Sequence, residues 1–165
     1  MKKVLFVICL TIFAMQGYAQ TAHYSVGGSL GYATDRKNPT IGVDFRYNLF
    51  PDIRFAPSVT RLIRNNGVDG WYMDLDGHYV VDVTRDFSFY PIGGVSLSIW
   101  NLDEDIYHFL LKERVHTSHT RLGMNIGLGG EFRVTYEISI GMDFKYNVAN
   151  DHSQALAAIR VGYHF

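Results

Sequence analysis

From Thr40 to Leu49 the chain alternates without an error: Ile41, Val43, Phe45, Tyr47 and Leu49 are apolar, and Gly42, Asp44, Arg46 and Asn48 between them are small or polar. A period of two marks a strand with one apolar face. The same grammar runs through Tyr24 to Tyr32, Arg121 to Glu131, Ile138 to Asn147 and Ala157 to Phe165. Three further segments alternate less cleanly, about Ile53 to Ile63, Trp71 to Val81 and Phe87 to Ile99, and bring the count to eight strands. Pro57 and Pro91 fall inside two of these and cannot donate to a ladder, so each is expected to mark a bulge or an irregular strand start. Arg61 interrupts the outer face of the third strand near its far end.

Such alternation suits either a soluble barrel with its apolar face inward or a membrane barrel with that face outward. Residue size separates the two. The polar face is rich in glycine, serine and charge, whereas the apolar face carries large side chains throughout. A soluble sheet would show long Lys, Glu and Thr side chains to water; a narrow lumen needs small residues beside a few charges that pair. The expected fold is therefore all-β, an eight-stranded antiparallel up-and-down transmembrane β-barrel. A slip of one residue would aim Asp44, Arg46, Arg121, Glu131, Asp143, Lys145 and Arg160 at lipid, where each basic group costs about 2–4 kcal/mol at the midplane. That sum rivals the roughly 5–15 kcal/mol stability of a typical domain, so these charges are placed inward.

The connections alternate in character. Leu49 to Asp52, Asp82 to Asp86 and Arg133 to Tyr136 are compact, whereas Asp35 to Asn38, Asn65 to Gly70, Asn101 to His119 and Ala149 to Ser153 are generally longer and more polar. Short periplasmic turns and longer external loops are the pattern of such barrels, and an even strand count leaves both ends in the periplasm. Tyr24, Phe50, Phe55, Tyr79, Phe89, Phe132, Tyr163 and Phe165 fall near the periplasmic ends, and Tyr32, Trp71, Trp100 and Tyr146 near the opposite rim, as two headgroup-level belts would require.

Upstream of the barrel, Met1-Lys2-Lys3 is followed by an apolar run from Val4 to Met15 and by Gly17-Tyr18-Ala19, the form of a cleavable secretory signal. Residues 1–19 are thus expected to be a signal peptide and 20–165 the barrel domain. The one cysteine, Cys9, lies inside that run, so no disulfide is expected. Charge is nearly balanced, 15 basic against 16 acidic residues, which sets nucleic acid aside as a partner.

The tail Ile159-Arg160-Val161-Gly162-Tyr163-His164-Phe165, the glycine-rich run from Leu122 to Phe132, and Phe144-Lys145-Tyr146 together resemble the small OmpA/OmpX-like outer-membrane barrels, often grouped under a porin-family or outer-membrane β-barrel heading. The resemblance covers nearly all of residues 20–165. It implies residence in the bacterial outer membrane, with membrane lipid and lipopolysaccharide as neighbours. It also implies that Val161, Tyr163 and Phe165 form a C-terminal signal read by the assembly machinery. The 165 residues contain no peptidoglycan-binding domain after the barrel, so the tethering role of longer relatives is not expected.

Candidate chemistry sits in the lumen: Asp44, Arg46, Arg54, Asp74, Asp76, His78, Arg121, Glu131, Asp143, Lys145 and Arg160. An eight-stranded barrel is just wide enough for side chains to fill it, so a plug of paired charges is expected ahead of a narrow ion or solute channel. Asp74, Asp76 and His78 share one strand face and could ligate a metal, but pairing with basic groups is preferred, and no metal or cofactor is expected. His108, His116 and His119 follow Asp103-Glu104-Asp105 in the longest loop, which reads as a solvated surface able to contact lipopolysaccharide or other molecules. His116 and Ser118 with Glu131 invite comparison with the His-x-Ser of lipid A deacylases, but Glu131 belongs at the opposite end of the strand. The expectation is a non-enzymatic, monomeric barrel with a structural or loop-mediated role and no known ligand. A lipid A-modifying enzyme and a soluble lipocalin-like carrier are the rivals.

Overall fold

A computed structural model describes residues 24–34, 37–65, 68–104, 115–149 and 153–165. The expected signal peptide and the middle of the longest loop, His108 included, lie outside the described residues. Eight strands run in order: β1 (Tyr24–Ala33), β2 (Asn38–Phe50), β3 (Ile53–Asn65), β4 (Val68–Tyr79, resumed briefly as Val81–Asp82), β5 (Phe87–Glu104), β6 (Val115–Arg133), β7 (Ile138–Ala149) and β8 (Gln154–His164). Each pairs antiparallel with its neighbours in sequence. β1 pairs with β8, from Ser25 opposite His164 to Ala33 opposite Leu156, and the circle has no free edge along its wall. Closure matters because a lipid-facing edge would leave backbone groups with no partner in the hydrocarbon.

The outward face is the predicted one. Leu30, Val43, Leu122, Met124, Ile126, Phe144, Ile159 and Val161 are among the large apolar side chains turned out of the barrel, while Arg46, Asn125, Glu131 and Arg160 are buried within it. Apolar residues on the outside and charges on the inside invert the soluble arrangement, which rules out a lipocalin-like carrier whose apolar face lines the interior.

Two expectations are corrected. Neither proline makes a bulge: the shifts in register fall between Asn48 and Phe50 and between Leu62 and Asn65. Pro57 and Pro91 instead leave gaps in an unshifted ladder. The register places Tyr79 of β4 opposite Pro91, which has no N–H to give to that rung, while the Val80 N–H continues the β3–β4 ladder to the Asp52 carbonyl at 2.7 Å. The second correction is the segment Asn101 to His119, much of which is strand. β5 and β6 stay paired up to Glu104 opposite Val115, while β4 follows β5 only to Leu102 and β7 meets β6 only from Gly123. The two strands thus rise as a hairpin past their neighbours, about 17 Å beyond the pair Ile99–Thr120 at the usual rise per residue.

Arg61, the outward exception, sits at the external end of β3, with its guanidinium 4.8 Å from the Trp71 ring and 3.3 Å from Asp69. A charge placed at headgroup depth and stacked on an aromatic ring escapes the midplane penalty. Moving such a charge to mid-strand should not be tolerated. Ile159→Arg is expected to destabilise the folded barrel by about 2–4 kcal/mol in urea titrations in lipid, whereas Arg61→Leu should change it by less than about 1 kcal/mol.

Candidate functional site

The lumen is filled in layers. In the periplasmic half, Arg46 is the hub: Nη2 donates to Asp143 Oδ2 at 2.8 Å, Nη1 to the Tyr90 hydroxyl at 2.9 Å and to Glu131 Oε2 at 3.2 Å, and Nε to Asp44 Oδ2 at 3.1 Å. Arg54 donates to Glu131 Oε2 at 2.7 Å and to Asn48 at 3.0 Å. Arg160 donates through Nε to both Asp44 oxygens at 2.9 and 2.8 Å, and its Nη1 lies 3.7 Å from Glu131 Oε1. Tyr90 donates to Asp143 Oδ1 at 2.6 Å and stacks on His78 at 4.7 Å between ring centroids. Glu131 therefore meets three guanidiniums, which share out its charge.

Glycine makes the room. A Cβ on Gly27 or Gly162 would strike the Arg160 guanidinium, and one on Gly129 would strike the Tyr90 ring and Asp143. The inner face is rich in glycine because large side chains from opposite strands must cross a narrow bore.

Above this cluster, Lys145 spans two carboxylates, Asp74 Oδ2 at 2.5 Å and Asp76 Oδ2 at 3.0 Å. Asn125 donates to Asp76 Oδ1 at 2.9 Å, and Asn147 donates to Asn125. A small cavity of about 40 Å³ lies between, lined by residues that include Asp76, His78, Asp143 and Lys145. Toward the external end the filling turns apolar: Ala33, Leu62, Tyr72 and Leu156 are buried together with Trp100 packed against them, its ring edge-on to Tyr72. Gln154 donates to the Tyr72 hydroxyl and ties that cluster to β8.

Ten of the eleven predicted lumen residues thus meet in two adjoining clusters. Arg121 lies farther out on β6, half-buried, with its backbone carbonyl accepting from Ser98 Oγ at 3.4 Å. Trp100, expected in the external aromatic belt, turns inward instead, because β5 keeps Ser96, Ser98 and Trp100 on one face. Tyr90, Asn125, Asn147, Ser139 and His164 belong to the filling although the candidate site did not include them. His164, Asn125, Asn147 and Ser139 are legible from their parity. Tyr90 is not, because Phe87, Phe89 and Ile92 around it obscure the alternation.

Among the described residues no group of three or more His, Cys, Asp or Glu side chains could hold a metal ion. Asp74 and Asp76 are engaged by Lys145, and His78 lies against Tyr90. Ser139 Oγ and Glu131 Oε1 both approach the same nitrogen of His164, Nε2, at 2.8 and 3.1 Å, so the acid and the hydroxyl compete where a triad needs one on each nitrogen. Ser118 and Glu131 lie thirteen residues apart on β6, about 43 Å along the strand, so the deacylase-like constellation is not assembled.

Residues 5–165 match the family described as the outer membrane protein beta-barrel domain. The chain belongs to that family. Membership in the outer membrane protein β-barrel domain family places the protein in the bacterial outer membrane. No curated protein matches the chain. Among solved structures it is similar to the N-terminal β-barrel domain of Pseudomonas aeruginosa OprF, with 17% identity, a TM-score of 0.65, and 86% of this chain and 96% of that one covered. It is also similar to Neisserial surface protein A, with 16% identity, a TM-score of 0.68 and the same coverages. A third is Ail, the attachment invasion locus protein of Yersinia pestis, with 15% identity, a TM-score of 0.62 and again the same coverages. At such identities the likeness shows the fold alone.

Within this family member, the buried ion pairs predict unequal costs of truncation. Glu131→Ala strands Arg54 and part of Arg46 and Arg160, and should cost about 3–5 kcal/mol in urea unfolding. Asp69→Ala, at the exposed rim, should cost no more than about 1 kcal/mol. Equal losses would show that the lumen cluster is solvated.

Proposed function

We propose that this outer-membrane barrel is non-enzymatic and that its lumen is a plug, leaving structural support or loop-mediated interaction as its role. The observation that carries the reading is the succession of two fillings across one bore: the Arg46–Arg54–Arg160–Glu131 cluster toward the periplasm and the Ala33–Leu62–Tyr72–Leu156 plug with Trp100 toward the outside. An ion would have to break buried charge pairs at one end and desolvate against apolar side chains at the other. The protruding β5–β6 hairpin is the part of the wall that reaches farthest from the membrane, and there contact with lipopolysaccharide or another surface molecule would occur. The C-terminal Val161 and Tyr163 face outward, and Phe165 lies 6.1 Å from the Tyr24 ring and 6.4 Å from the Tyr163 ring, an arrangement that suits recognition by assembly machinery as the strand closes on β1. The isolated barrel, having no free edge in its wall, has no need of a second copy to close it.

A narrow channel is the second reading, favoured by the mid-lumen cavity. Planar-bilayer recording of the refolded barrel separates the two, with insertion checked by its heat-modifiable migration on gels. A silent membrane is expected, and steady conductance steps would overturn the plug.

A further inference from the structure

The mid-lumen cavity of about 40 Å³ is lined by charges of both signs, and these are already paired with one another. Arg46 bonds Asp44 and Asp143, Arg160 also bonds Asp44, and Lys145 bonds Asp76. An ion of either sign entering here would meet a like charge and find every opposite charge engaged.

What stays unmet is dipolar. His78 lines the cavity, is 4% exposed, and its Nδ1 is buried without a hydrogen-bond partner. The stack on Tyr90 holds this ring in place. From β1 and β3, Ser29, Ser58 and Thr60 bring hydroxyls to the same cavity. Gly42 stands between Ser29 and Thr60 in the ladder, and a Cβ there would lie 2.7 Å from Ser29 Oγ and 2.8 Å from Thr60 Oγ1, so both hydroxyls lean over the glycine. Each of these groups can donate and accept, and their side chains are short.

Buried polar atoms are as a rule hydrogen-bonded, and a polar cavity of this volume has room for about three waters. We propose that the cavity is a built water site, in which a small cluster of waters links His78 Nδ1 to the hydroxyls of Ser29, Ser58 and Thr60 and to the Asp76 and Asp143 carboxylates. Water fits where an ion does not, because it both donates and accepts and carries no charge that needs a partner. The cluster is then a layer of the filling in its own right. It ties β1 and β3, which send only short side chains to this level, to β4 and β7. The proposal goes beyond the closed lumen and fails separately from it: a conducting barrel is seen in current recordings, a dry cavity in diffraction.

The test is a high-resolution diffraction map of the full barrel, refolded and crystallised in rubidium salts so that an ion in the cavity would show by its anomalous signal. About three ordered peaks without anomalous signal are expected, one of them within hydrogen-bonding distance of His78 Nδ1. His78→Phe keeps an aromatic ring against Tyr90 but removes the nitrogen, and should lose that one peak. His78→Asn, whose amide reaches the same place, should keep it. An empty cavity in the wild-type barrel, or an anomalous peak there, would overturn the proposal, as would a peak that persists in His78→Phe or disappears in His78→Asn. Should a variant fail to fold, the wild-type map decides alone.

Discussion

The bore of an eight-stranded barrel is too narrow to be left empty and too polar to be filled with hydrocarbon alone, and most of this structure follows from that constraint. Outward side chains meet lipid and can be chosen almost freely among large apolar residues. Inward ones must fit one another across the axis. Arg46 meets this demand by reaching partners on β2, β5, β6 and β7, so that one side chain ties four strands together. The ion pairs are weak evidence for net stability, because desolvation offsets much of their attraction, but they specify register strongly: a one-residue slip would both expose the charges to lipid and unpair them.

The division of the lumen into a charged half and an apolar end has a further consequence. Water reaching the periplasmic mouth meets groups that can share hydrogen bonds with it, including Ser139 and His164. At the external end Leu62, Tyr72 and Leu156 offer almost no polar surface. On the proposed closed lumen the barrier to permeation would have two different physical origins, and a single substitution in either half would leave the other standing.

Much of the wall was legible in the sequence. The clean alternation in β1, β2, β6, β7 and β8 fixed both the strands and which side chains face lipid, since a period of two admits only one assignment once charge is placed inside. The segments that read poorly were β3, β4 and β5, and the structure supplies the reason. There the inner face also carries apolar residues, Leu62, Tyr72, Val80, Tyr90 and Ile92, so contrast between faces is lost. For the same reason Tyr90 and the inward turn of Trp100 could not be read from pattern. Pairings across the lumen, such as Arg46 with Asp143 or Lys145 with Asp74, depend on strand stagger around a closed circle and leave no trace in local spacing.

Closure of the lumen at both ends is most directly tested by the reach of a small thiol-reactive ion. The sequence from Tyr24 to Phe165 contains no cysteine, and Ser58 lines the mid-lumen cavity, so Ser58→Cys places one thiol between the two plugs. Silver ions added to the folded barrel in lipid vesicles, from either side, should leave this thiol unmodified until urea unfolds the protein. Rapid modification in the folded barrel from either side would contradict closure.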